Sequence, residues 1–148
     1  MPKISFSIDD LMSGCSMLKR RSKFSPGFDK MTPDAAETWL RINGTKLCDQ
    51  LKGGKYRVMP ASGFHMAKAD GSYRQLVRLT AIDTVIQTIL IDKLADYCAA
   101  NFSDHSFAYQ KGKGVGKALN GFCKYASNYP YAAKIDALAC FDSIDHLV

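Results

Sequence analysis

Apolar side chains recur along the chain with a period that changes from segment to segment, and the changes mark out its elements. From Ile8 to Arg21 (IDDLMSGCSMLKRR) Leu11, Cys15 and Leu18 fall on one face, with acids at the start and bases at the end, as a helix dipole prefers. Thr32-Pro33 reads as an N-cap followed by proline at the first helical position, which predicts a second helix from about Pro33 to Leu51, closed by Gly53-Gly54. From Lys55 the pattern becomes extended: YRVMP leads into FHMAKADGSYRQLVRL, two strand-like runs about Asp70-Gly71, the dipeptide of a short hairpin. In TAIDTVIQTILIDKLADYCAANF, Ile82, Val85, Ile86, Ile89, Leu90, Leu94 and Cys98 return at helical spacing and predict the main core helix. A glycine-interrupted basic loop, QKGKGVGK, then feeds a helix through Ala118, Leu119, Phe122 and Tyr125. Last, YAAKIDALACF is short and apolar, which predicts a buried strand over Tyr131 to Asp136, and Ser143, Asp145 and His146 read as the first turn of another helix.

Composition narrows the class. The 148 residues with 47% hydrophobic side chains suffice for a core and argue against disorder. Five scattered cysteines without a CxxC pair point to neither a disulfide framework nor a zinc site, and reduced thiols in a cytoplasmic protein are the expectation. Neither a signal peptide nor a membrane-length apolar run is present, so no membrane partner is expected. Twenty Lys and Arg against 14 Asp and Glu give +6, a balance that favours polyanionic partners without demanding one.

Candidate chemistry gathers at three places. Between positions 46 and 78 lie Lys46, Lys52, Lys55, Arg57, Lys68, Arg74 and Arg78 against Asp49 and Asp70, and Lys68 and Arg74 flank the hairpin turn. Those two cations either reach toward an anion or only keep a solvated strand pair from aggregating. Gln87 is a nucleic-acid contact or simply the solvent side of a core helix. In QKGKGVGK, Lys111 and Lys113 precede a helix and could meet phosphates, although the loop lacks the Ser or Thr of a Walker A motif. Asp136 would end an apolar strand, where an ionised carboxylate is costly unless a cation or several donors face it. A magnesium ion is one such partner, and capping of the following turn is the other reading.

The order of these pieces is more specific than any one of them. SPGFDKMT, KADGSYRQL, FSDHSFAYQKGKGVGKAL and DALACFDSIDH occur in sequence over roughly positions 25–148. They resemble four consecutive motifs of the reverse-transcriptase domain found in group II intron maturases, retrons and related bacterial proteins. The resemblance implies an α+β fold, the N-terminal part of a right-hand polymerase, with residues 1–107 as fingers and residues 108–148 as a fingers-to-palm segment. It implies RNA-directed DNA synthesis with Asp136 and the backbone carbonyl of Ala137 on Mg2+, two ions in the complete enzyme. Lys68 and Arg74 would then hold the incoming dNTP, and Phe141 would lie under its sugar as a gate against ribonucleotides. Arg78, Gln87, Lys111 and Lys113 are candidate nucleic-acid contacts. The implied partners are an RNA template, a DNA primer and dNTPs, with a cognate intron or other structured RNA as a further candidate.

Gln75, Gln110-Lys111-Gly112-Lys113 and Leu138-Ala139-Cys140 depart from the commonest form of these motifs and leave the lineage open. The family's later Tyr-x-Asp-Asp hairpin, source of its other metal-binding aspartates, does not occur before Val148. The expectation is therefore a piece of a polymerase with an incomplete metal site, inactive by itself. Two alternatives use the same residues: a nucleic-acid-binding module without synthesis, and a template-independent polymerase.

Overall fold

The computed structural model describes residues 4–21, 26–138, 140 and 143–145. Its elements are α1 (Ile8–Arg21), α2 (Pro33–Lys52), β1 (Ser62–Ala67), β2 (Tyr73–Arg78), α3 (Ala81–Ala99) and α4 (Val115–Ala126), a mixed α+β arrangement. The chain divides into two units, residues 1–100 and residues 101–148.

In the first unit α1 packs on both α2 and α3. Leu11 and Cys15 of α1, Leu40 and Leu47 of α2, and Val85 and Ile89 of α3 form the centre of the core. Each helix begins where a side chain satisfies free backbone donors. Ser7 and Asp10 cap α1 reciprocally, the Asp10 N–H donating to Ser7 Oγ (3.1 Å) and the Ser7 N–H to Asp10 Oδ2 (2.8 Å). Thr32 Oγ1 accepts from Ala35 N–H (3.2 Å) ahead of Pro33. Thr80 Oγ1 accepts from Asp83 N–H (3.2 Å) at the start of α3.

Ion pairs tie the helices at their surfaces. Lys93 of α3 meets Asp10 of α1 at 3.0 Å. Burial alone would raise the Asp10 carboxyl, but hydrogen bonds from Lys93 and Ser7 outweigh it and hold the group below its ordinary range. Lys19 of α1 pairs with Asp34 (2.6 Å) and Glu37 of α2. Those hydrogen bonds, Asp34 first, push the lysine up; Lys19 and then Arg41 push Glu37 down.

The strands form one antiparallel hairpin in the register Ser62↔Arg78 through Ala67↔Tyr73. No helix comes within contact distance of either strand among the described residues, so both faces are solvated.

In the second unit the loop before α4 folds back on that helix. Phe107 lies beneath Gly121, His105 meets Tyr125 edge-on at 5.6 Å, and Gln110 Nε2 donates to Ser106 O (2.9 Å) and Oγ (2.8 Å). None of its described residues is buried, and Leu119, Phe122 and Tyr125 are each more than half exposed.

The expected buried strand over Tyr131–Asp136 is absent: residues 131–137 carry no regular structure and are exposed, Tyr131 and Ile135 each at 91%. A strand satisfies its backbone only through a neighbour, and no described segment lies alongside to pair with it. Among the described residues the expected helical turn after it does not appear. Ser143 sits in a turn, its hydroxyl donating to Cys140 O (2.9 Å), while Ile144 and Asp145 are irregular and His146 lies outside the described residues.

Candidate functional site

The hairpin owes its shape to five residues between the strands. Lys68 N–H donates to Ser72 O (2.8 Å), extending the pairing by one position, and Gly71 N–H returns to Lys68 O (3.1 Å). Gly71 then adopts φ +81°, a left-handed conformation that suits glycine and produces a three-residue loop rather than the tightest two-residue turn. Asp70 Oδ1 accepts from Ser72 N–H (2.9 Å) and Ser72 Oγ (2.6 Å), bonds that lower its carboxyl and keep it engaged with the turn.

Side chains alternate between the two faces of a ladder, so register decides which of them meet. Met66 stands opposite Arg74, Phe64 opposite Leu76, and Ser62 opposite Arg78. Lys68, two residues beyond Met66, continues that face. Lys68 and Arg74 are therefore diagonal neighbours, about 7–8 Å apart at their backbones. Arg78 stands farther from the turn on the same face, its guanidinium carbon 5.1 Å from the Phe64 ring centroid. The other face carries His65 edge-on to Tyr73 at 6.4 Å.

Lys68 and Arg74 are exposed, with no carboxylate in ion-pair range among the described residues. One planar fork and one mobile ammonium are thus free to meet an anion of two or three phosphates.

The root of the hairpin is anchored by carboxylates that sequence reasoning did not single out. Asp83 is 4% exposed at the start of α3. It accepts from Tyr56 OH (2.7 Å), Met59 N–H (3.2 Å) and Thr80 Oγ1 (2.6 Å), fixing the irregular stretch that leads into β1. Burial, and then the bond to Asp83, pushes the Tyr56 phenol up, so it remains a donor. Asp29 of the SPGFD stretch accepts from Ala81 N–H (3.2 Å to Oδ2) and Met31 N–H (3.2 Å to Oδ1), while Phe28 N–H donates to Leu79 O (3.1 Å). A Cβ on Gly27 would stand 2.8 Å from Leu79 O, so glycine permits this docking. One signal was readable beforehand: Thr80-Ala81-Ile82-Asp83 has the spacing of a reciprocal cap.

The other predicted residues are dispersed. Gln87 is exposed on α3, opposite the buried run of Val85, Ile86 and Ile89. Lys111 is exposed beside Gly112, whose φ is +69°, and Lys113 lies 6.0 Å over the Phe107 ring.

Asp136 is exposed and accepts no hydrogen bond from a described residue, which corrects the expectation of a buried carboxylate needing a compensating cation. The reason is the missing strand: without pairing, neither Ile135 nor Leu138 (95% exposed) shields it. Its oxygens and the carbonyl of the adjoining Ala137 are the hard donors that magnesium takes. Among the described residues no three His, Cys, Asp or Glu side chains group into a metal cluster. Phe141 lies outside the described residues.

A cavity of about 540 Å³ opens beside the hairpin root, between α2, the Lys55–Met59 stretch and the start of α3. No helix of the described residues is long and apolar enough to cross a membrane. No known family model matches the chain, and no curated protein is significantly similar to it.

Proposed function

We propose that this chain is part of an RNA-directed DNA polymerase, contributing the surface that receives the incoming nucleoside triphosphate and one carboxylate of the catalytic centre. The observation that carries the reading is the pairing of Lys68 and Arg74 as exposed diagonal neighbours on one hairpin face, within the four-motif order of the sequence. Arg74 is suited to a bidentate grip on phosphate oxygens, and Lys68 adds a point charge near the turn. Both act before and during phosphoryl transfer, orienting the triphosphate and offsetting the negative charge that grows on its leaving group.

The carboxylate of Asp136, with the carbonyl of Ala137, would hold magnesium. That ion, when bound, activates the primer hydroxyl and stabilises the departing pyrophosphate. A lone carboxylate with one carbonyl is part of a coordination shell, so the reading requires further acidic ligands from outside the described residues. Phe141, five positions after Asp136, would lie against the sugar and exclude a 2′-hydroxyl. RNA template and DNA primer would run along the basic surface, with Arg78, Gln87, Lys111 and Lys113 as phosphate or base contacts.

Titration with a fluorescent dNTP tests the hairpin assignment on the 148-residue chain itself. Lys68→Ala and Arg74→Ala are each expected to weaken binding about tenfold, the loss of one charge-assisted contact of about 1.4 kcal/mol. Unchanged affinity in both variants would refute the assignment.

A further inference from the structure

We propose that the cavity at the hairpin root is a second nucleic-acid site, one that captures a single unpaired nucleotide of a strand. Its volume of about 540 Å³ lies within the about 300–1,000 Å³ typical of pockets that enclose small ligands. Its wall is largely apolar and includes Trp39, Met31 and Leu47. A splayed-out base gains most from a surface of this kind, since stacking on an aromatic ring contributes about 1–3 kcal/mol per base.

The rim supplies the complementary charge. Lys55 and Arg57 both border the cavity, both are exposed, and neither has a carboxylate in ion-pair range among the described residues. They stand two residues apart on the irregular stretch that leads into β1, so both can meet phosphates of a strand whose base enters the cavity. Gln50 also lines the cavity, and no described residue bonds its side-chain amide, leaving a donor and an acceptor for a base edge.

Asp29 is the one carboxylate among the described residues that line this cavity, and two backbone N–H groups, Ala81 and Met31, already engage it. The start of α3 is likewise occupied by Asp29 and Asp83, so phosphate has no vacant helix terminus here and must go to Lys55 and Arg57. The stretch holding both cations is itself fixed, through Tyr56 OH and Met59 N–H on Asp83. A preorganised rim loses little entropy when it binds.

The site uses neither Asp136 nor the hairpin cations, so it does not depend on the polymerase reading. Trp39 is the only tryptophan of the chain, which makes its fluorescence a local reporter. Titration with single-stranded oligoadenylate, RNA and DNA in separate arms, is expected to give saturable quenching, whereas duplex RNA of the same length, its bases stacked, gives none. The Lys55→Glu/Arg57→Glu double variant is expected to weaken the single-strand response about tenfold or more, and Lys117→Glu/Lys124→Glu, two exposed lysines of α4, to leave it unchanged. A stronger response to RNA would identify a strand read partly through its 2′-hydroxyls, and equal responses a strand read through base and phosphate alone. The proposal is overturned if Trp39 shows no saturable change, as it would if the cavity received a protein segment, or if the double variant quenches with unchanged affinity. Fluorescent dNTP binding in the double variant is expected to match the parent, which separates failure at this cavity from failure at the hairpin.

Discussion

At the scale of single residues, the first unit relies on a few buried or docked polar groups. Asp83 is the most consequential, because three donors from two segments converge on its carboxylate. Asp83→Ala strands the Tyr56 hydroxyl and the Met59 N–H and removes half of the cap of α3. A loss of about 2–4 kcal/mol in denaturant-measured stability is expected; a change below about 0.5 kcal/mol would show that the convergence is incidental. Its long-range role was not legible in the sequence because two of its partners lie 24 and 27 positions away. The same is true of Asp29, whose bond to Ala81 spans 52 positions. The positions of Lys68 and Arg74 beside the turn were legible because a turn dipeptide between alternating runs fixes local geometry at short range. Phe141 carries a prediction of another kind: in the polypeptide as its gene encodes it, Phe141→Ala is expected to let ribonucleotides into the product. Unaltered sugar selectivity would remove the gate assignment.

At the scale of elements, helices α1 and α2 follow their expected bounds almost to the residue and α3 begins where its apolar periodicity does, since these signals are written within the element. The stretch 131–137 does not follow its apolar pattern. Such a pattern reports the surroundings a segment prefers, while strand formation needs a partner whose presence the segment does not encode. α4 is similar: its apolar stripe was readable, yet Leu119, Phe122 and Tyr125 remain more than half exposed, because the loop that folds back on the helix covers only part of that stripe.

Carboxylates at the helix contacts and in the hairpin turn yield a pH dependence. Asp10, Glu37 and Asp70 all have folded-state values below the ordinary carboxylate range. Their contribution is therefore fully present above the unfolded value of about 4 and is lost as pH falls through the depressed folded values. Thermal melts should show Tm falling progressively below about pH 4, with a shallower fall in Asp10→Asn, which lacks the titrating partner of Lys93. Tm that does not vary over this acid range would contradict the assignment.

At the scale of the whole molecule, the described residues offer a helical unit with a real core, a solvated basic hairpin and a second unit without buried residues. The mixed α+β class was readable in the sequence because helices and hairpin are local features. The candidate site was readable only as parts: the cations' positions through their turn, and the roles expected of them and of Asp136 through resemblance to family motifs. On the proposed reading, the basic hairpin and the cavity rim put part of the net charge of +6 at the service of polyanion binding, and catalysis would depend on Asp136.

RNA-templated primer extension by the polypeptide as its gene encodes it, with and without Asp136→Ala, tests that claim most directly. The account predicts magnesium-dependent DNA synthesis by the parent and none by the variant, with nucleic-acid binding nearly unchanged. Synthesis at the parental rate by Asp136→Ala, or a parent that binds RNA and dNTP yet never extends a primer, would contradict it.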